Sequence, residues 1–182
     1  MECLVTARLV LHPMSVEDAV ALTADEPGGY AHWAPGYPTE ADTAGARRYL
    51  ETCESAGDPQ PFGAYEIRRR EDGRAIGGLG FHGAPDLDGT VTIGYGLVPA
   101  VQGNGYATEA LRALLLFARA EGITRVKGDT SHDNIASQRV MTAAGMSLVA
   151  QDEWLKYYAV EWAEDWADDW ADDWMEESTD CV

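Results

Sequence analysis

Gln102-Gly103-Asn104-Gly105-Tyr106-Ala107 is the stretch whose reading decides the fold. Before it, Val91, Ile93, Tyr95 and Leu97 alternate with Thr92, Gly94 and Gly96, the period-two pattern of a strand. After it, Ala107, Ala110, Leu111, Leu114, Leu115 and Ala118 keep the three-and-four spacing of an amphipathic helix until Gly122 stops it. A strand feeding a glycine-containing loop that opens a helix aims unpaired N–H groups, and the positive end of the helix dipole, at one spot. Such a spot attracts a phosphate. Glycine lets the backbone approach an anion closely and take dihedrals that a side chain resists. Alone, the six residues fit equally well a tight strand-to-helix connection with no ligand.

The surroundings narrow the choice. Gln102, Gly105 and Ala107 fall on the fixed positions of a Gln/Arg-x-x-Gly-x-Gly/Ala pattern. After the helix and a short strand over 125–130 comes Asn134-x-x-Ser137-x-x-Val140-Met141, then Gly145-Met146. Together these resemble the acetyl-CoA-binding core of the GNAT acetyltransferases. Ile93-Gly94-Tyr95, Pro99, Ala107-Thr108-Glu109-Ala110-Leu111 and Asp133-Asn134-x-Ala136-Ser137 are similar to the RimJ/RimL-like branch, as is the opening Thr6-x-Arg8-Leu9-x-Leu11 followed by Asp18-Ala19. That branch acetylates protein N-termini and sometimes small amines.

The remaining segments suit this resemblance. Leu4 to Leu11 reads as a first strand. Ser15 and Thr39 are N-cap candidates for two helices, with Asp18 and Asp42 three residues on. Phe62 to Arg68 and Ala75 to His82 read as strands joined by a turn at Glu71-Asp72-Gly73-Arg74, and 147–151 and 155–162 as the last two. The expected architecture is α/β: a mixed sheet of about six to seven strands flanked by about four helices. The resemblance adds that the middle strands splay apart.

Composition bounds the rest. The chain has 182 residues, 46% of them apolar, enough for one domain with a sizeable core. No apolar run is long enough to span a membrane and no basic, apolar leader opens the chain, so a cytoplasmic protein is expected. Cys3, Cys53 and Cys181 have no metal-ligand spacing, and each is expected to be an incidental or buried thiol, with no metal bound. The net charge is −18, and residues 161–182 hold ten acids with no Lys or Arg. Nucleic acid is repelled and a cationic acceptor favoured. Trp162, Trp166, Trp170 and Trp174 recur every four residues, dividing the chain into a domain over 1–162 and an acidic Trp-repeat tail over 163–182. The tail either docks on the domain or on a second copy, which would allow a homodimer, or only solubilises.

Carried to matching positions, the resemblance implies an N-acetyltransferase moving acetyl from acetyl-CoA to a primary amine, either a protein N-terminus or a small cationic amine. The cofactor would meet the amides of Gly103, Asn104, Gly105, Tyr106, Ala107 and Thr108, with Gln102 and Asn134 at the edges of its groove and an oxyanion donor at Leu97 or Val98. Asn134 and Asp133 are also ordinary helix caps. The tyrosine that many relatives use to protonate the thiolate falls on Met141, which leaves Ser137 as the donor. The glutamate that many relatives carry before Ile-Gly-Tyr falls on Thr92, which leaves His82 as the base, with Glu66 or ordered water as alternatives. Trp33 and Tyr37 stand where relatives build the acceptor wall. A second class of function, a weakly catalytic binding module whose acidic tail holds a basic protein, suits the same two departures.

Overall fold

A computed structural model describes residues 3–24 and 32–162. The Trp-repeat tail at 163–182 therefore lies outside the described residues, as do residues 1–2 and 25–31. The elements, in chain order, are β1 (Leu4–Val5), β2 (Leu9–Pro13), α1 (Val16–Thr23), α2 (Glu40–Ala56), β3 (Ala64–Arg69), β4 (Ala75–Phe81), β5 (Thr90–Leu97), α3 (Tyr106–Ala120), β6 (Arg125–Ser131), α4 (Ile135–Ala143), β7 (Ser147–Gln151) and β8 (Leu155–Glu161). They form one eight-stranded sheet of order β1-β2-β3-β4-β5-β6-β8-β7, with β5 and β6 parallel and all other neighbours antiparallel. The expected α/β architecture with four helices is present. The eighth strand arises because Leu4 to Leu11 is not continuous: the chain turns at Thr6, whose amide donates to Leu9 O, and β1 folds back on β2.

Local chemistry sets the helix ends. Ser15 and Thr39 each close a capping box with the aspartate three residues on, and each cap contributes about 1 kcal/mol. Gly105 starts α3 in the left-handed region at φ 79°, a conformation that disfavours any residue with a Cβ. Helix α2 covers one face of the sheet, against β3, β4 and β5, and α1 packs on α2. The other face is covered by α3 and, beside β6 and β7, by α4.

The apolar alternation read in β5 holds: Val91, Ile93 and Leu97 are buried against a stripe of α3 comprising Ala110, Leu111, Leu114, Leu115 and Ala118. Each buried leucine stabilises the fold by about 1.5–3 kcal/mol relative to exposure. Under α4, Gly128 gives Ile93, Met141 and Met146 the room they fill, since a Cβ there would stand 3.1 Å from Ile93 Cδ1 and 3.2 Å from Met141 Sδ. Cys53 is a free thiol as expected. Cys3, against expectation, takes part in a disulfide.

One polar strap ties the first hairpin to the start of α3. The Glu109 carboxylate accepts from Thr6 Oγ1 at 2.7 Å, Arg8 N at 2.9 Å and Arg8 Nε at 2.7 Å. Burial pushes its pKa up, but the bonds from Thr6 and Arg8 outweigh that and hold it below the usual carboxylate value. The stabilisation is thus present above the unfolded-state pKa and is lost as pH falls through the lower folded value. Glu109→Ala is predicted to lower the unfolding free energy by about 2 kcal/mol at neutral pH, measured by urea denaturation. A change below about 0.5 kcal/mol would show that the strap is solvent-compensated.

Candidate active site

The loop between β5 and α3 has the backbone geometry that suits an anion. Gly103 and Gly105 both take φ 79°, Gly105 offers no side-chain cap, and the amides of Gly103 through Thr108 donate to no acceptor among the described residues. Six N–H groups and the positive end of the α3 dipole therefore share one opening. The neighbouring side chains shape the loop. Gln102 Nε2 donates to Leu97 O at 3.0 Å, Asn104 Nδ2 to Val101 O at 3.0 Å, and Arg8 Nη1 to Asn104 O at 2.9 Å, with the Arg8 guanidinium 4.6 Å from the Tyr106 ring centroid. Gln102 and Asn104, expected at the cofactor, spend these amides inside the loop.

Next to this loop the sheet opens. The β5–β6 ladder holds Thr90 on Arg125, Val91 on Val126 and Thr92 on Lys127, then stops, although β5 continues to Leu97 and β6 to Ser131. The register on β4 decides which groups face the gap. His82 N donates to Thr92 O and Val98 N to Ile76 O, so the even positions of β5 bond to β4. Ile93, Tyr95 and Leu97 then turn their main-chain groups to the opposite edge, where β6 has left. Of the two expected oxyanion donors this removes Val98, whose amide is consumed by Ile76, and keeps Leu97.

Helix α4 closes the gap. Asn134 is its N-cap, accepting from Ser137 N at 3.0 Å, so the capping reading holds for its carbonyl. Ser137 Oγ lies 2.8 Å from the Tyr95 hydroxyl, which also donates to Ser137 O at 3.1 Å. Burial pushes the Tyr95 pKa up, with the Ser137 contact opposing, so the phenol stays protonated at neutral pH. The sequence pattern alone does not mark Tyr95 as a site residue. Its signal is the tyrosine of Ile93-Gly94-Tyr95, at a position whose side chain meets α4 only through the fold. Met141 is fully buried beneath Gly128, as an apolar residue must be there.

On the α2 face lies an open cavity of about 330 Å³ whose floor is glycine: Gly78, Gly80, Gly94 and Gly96. Asp42 stands in one wall, Arg48 and His82 in others. The His82 ring crosses β5, with Nε2 only 2.9 Å from where a Cβ on Gly94 would sit. Burial lowers its pKa below 6.5, helped by the Arg48 charge and opposed by Asp129 on β6. The imidazole is therefore neutral at pH 7 and free to take a proton. Glu66, the alternative base, lies opposite Gly78 in the β3–β4 register. It is buried, does not line the cavity, and pairs with Arg68 Nε at 2.6 Å and, at 3.7 Å, with His32 Nε2. Trp33 and Tyr37 meet edge to face at 5.5 Å, and neither lines the cavity. The Tyr37 hydroxyl is buried beside the Glu66 carboxylate without closing a hydrogen bond of proper geometry, and burial followed by the Glu66 charge pushes its pKa up. No group of three metal-ligating side chains occurs among the described residues, and no helix there is long and apolar enough to cross a membrane.

Known proteins match this arrangement. The family model described as an acetyltransferase (GNAT) domain matches residues 8–147. An uncharacterized N-acetyltransferase of Bacillus subtilis (strain 168), YjdG, is 31% identical over 88 residues, which are 48% of this chain and 52% of that protein. Among solved structures, the ribosomal L7/L12 α-N-protein acetyltransferase RimL in complex with coenzyme A superposes with a TM-score of 0.61 at 19% identity, over 88% of this chain and 98% of that one. The ribosomal-protein-S5-alanine acetyltransferase of Vibrio fischeri does so with 0.63 at 14% identity, over 90% and 98%. At such identities the two structures show a shared fold. The family model, covering most of the chain, shows more: this chain belongs to the GNAT acetyltransferase family.

Proposed function

We propose that the chain is an acetyl-CoA-dependent N-acetyltransferase of the RimJ/RimL-like kind that acetylates a primary amine, its activity residing in residues 1–162. The observation that carries this reading is one convergence. The free amides of Gly103 to Thr108, the outward edge of β5 at Leu97 and the Tyr95–Ser137 pair border a single gap, and His82 stands on the other side of the same strand. The residues fit coenzyme A: a pyrophosphate needs clustered donors without a side chain in the way, and an amide-bearing arm needs an unpaired strand edge.

Bound there, acetyl-CoA supplies the thioester acetyl group. The loop amides hold the pyrophosphate, and the main-chain groups of Tyr95 and Leu97 orient the arm along β5. The Leu97 N–H donates to the carbonyl oxygen, where negative charge grows during attack. His82, neutral at pH 7, takes the proton from the incoming ammonium, directly or through one water. Ser137, bonded to the Tyr95 phenol, delivers a proton to the departing thiolate. The acidic chain favours a cationic acceptor, either a protein N-terminus or a small amine; the structural neighbours named for ribosomal-protein acetylation support the former.

Three outcomes test this. Gly105→Trp should abolish CoA binding, measured by calorimetry, while the far-ultraviolet circular dichroism is retained. An unchanged dissociation constant would remove the cofactor assignment. Ser137→Ala should lower kcat by about 10²-fold with acetyl-CoA affinity intact, the range expected for a lost general acid; equal turnover would shift the role to Tyr95 alone. The third is pH dependence. Because the folded pKa of His82 lies below 6.5, its base form is full at neutral pH, so kcat/KM should fall only as pH drops through that lower value. His82→Gln should lower the plateau and remove this limb; a limb that survives the substitution belongs to another group.

A further inference from the structure

The six glycines of α2, β4 and β5 fall into two groups, and all but Gly77 line the cavity. At Gly77, Gly78, Gly80 and Gly94 an added Cβ would meet the protein, at 2.1 Å from Gly96 O, 2.9 Å from Asp42 Oδ1, 2.6 Å from Gly63 O and 2.9 Å from His82 Nε2 respectively. Close approach explains these four. Gly45 and Gly96 are different. A Cβ on Gly45 would find nothing within 4 Å, and one on Gly96 would touch only Ala41 Cβ at an ordinary 3.5 Å. Neither has a positive φ. Gly45 moreover sits inside α2, where glycine destabilises a helix relative to alanine. The fold thus supplies no reason for these two missing side chains, and both residues line the cavity.

Their placement supplies one. Ala41 and Gly45 lie one helical turn apart on α2, on the stripe that faces β5. A Cβ on Gly96 would just reach Ala41, whereas one on Gly45 would stand in the cavity that Gly94 and His82 also line. We propose that Gly45 and Gly96 are specificity-determining residues: their absent side chains hold open a slot between α2 and β5 that admits the carbon next to the acceptor amine when that carbon is unbranched. The slot directs such an amine along the glycine floor to His82, so that among protein N-termini one beginning with glycine is the kind that enters, beside small amines on an unbranched carbon. This rests on the acetyltransferase reading for the chemistry, but the slot itself is a matter of steric access.

The test compares wild type with Gly45→Ala, Gly45→Leu and Gly96→Ala. The probes are putrescine, spermidine and triglycine, and their branched counterparts 2,5-diaminohexane and valylglycylglycine. Acetyl transfer, amine binding by NMR with CoA present, the CoA dissociation constant and Tm are measured. Wild type should favour the unbranched probes. Gly45→Ala should raise Tm by about 2–4 °C, as a helix-interior glycine replaced by alanine does, while lowering kcat/KM about tenfold through KM. Gly45→Leu should abolish amine binding with CoA affinity within about twofold of wild type. A folded Gly45→Leu variant that binds and acetylates the probes like wild type, or a wild type that treats branched and unbranched amines alike, would overturn the slot. If wild type bound no CoA, the acetyltransferase reading would fall; amine binding to wild type and not to Gly45→Leu would still establish the slot, and equal binding would refute it.

Discussion

The structure turns on where one hydrogen-bonded ladder stops. Strands β5 and β6 pair through Thr92 and Lys127 and no further, so the last five of the eight residues of β5 carry a free edge in the middle of an eight-stranded sheet. An unpaired edge is ordinarily a liability that a fold covers. Here β4 holds one side of β5 in register through Val98, and α4 bridges the other through the Tyr95–Ser137 contact. Both borders of the opening are thus hydrogen-bonded within the protein itself.

The loop beyond β5 extends the same logic. Its amides are free because the side chains of Gln102 and Asn104 and the Arg8 guanidinium bond to carbonyls, consuming acceptors while leaving donors exposed. Arg8 is held in turn by Glu109, a first-turn residue of the helix that the loop opens. The negative carboxylate also complements the dipole of that helix. Stability and anion binding thus share one network, in which the hairpin at the sheet edge fixes the position of the loop.

Much of this is local and could be read from the chain. The alternation from Val91 to Leu97, the α3 stripe, both capping residues and the two positive-φ glycines each depend on neighbours within a few positions. What escaped depends on distant partners. The break at Thr6 is made by Glu109, more than a hundred residues away, while the apolar alternation runs through it unbroken. Leu97 and Val98 are indistinguishable until the β4 register fixes which amide is spent. Tyr95 looks like one more apolar strand residue until α4 brings Ser137 to its hydroxyl. Trp33 and Tyr37 occupy the expected loop, but they pack on each other and on the core and do not line the cavity, and Glu66, opposite Gly78 in the β3–β4 register, pairs with Arg68 and does not line it either. Placing a side chain on one face of a strand needs only its parity; knowing what it meets there needs the fold.

The central claim is that backbone amides, free in the protein alone, receive the cofactor. Two-dimensional ¹⁵N NMR during a titration with coenzyme A tests it most directly. The amide resonances of Gly103 to Thr108 and of Leu97 should shift together and saturate at one affinity, while that of Val98, already bonded to Ile76, stays in place. Saturable binding that moves Val98 or remote amides and leaves the loop unshifted would contradict the account.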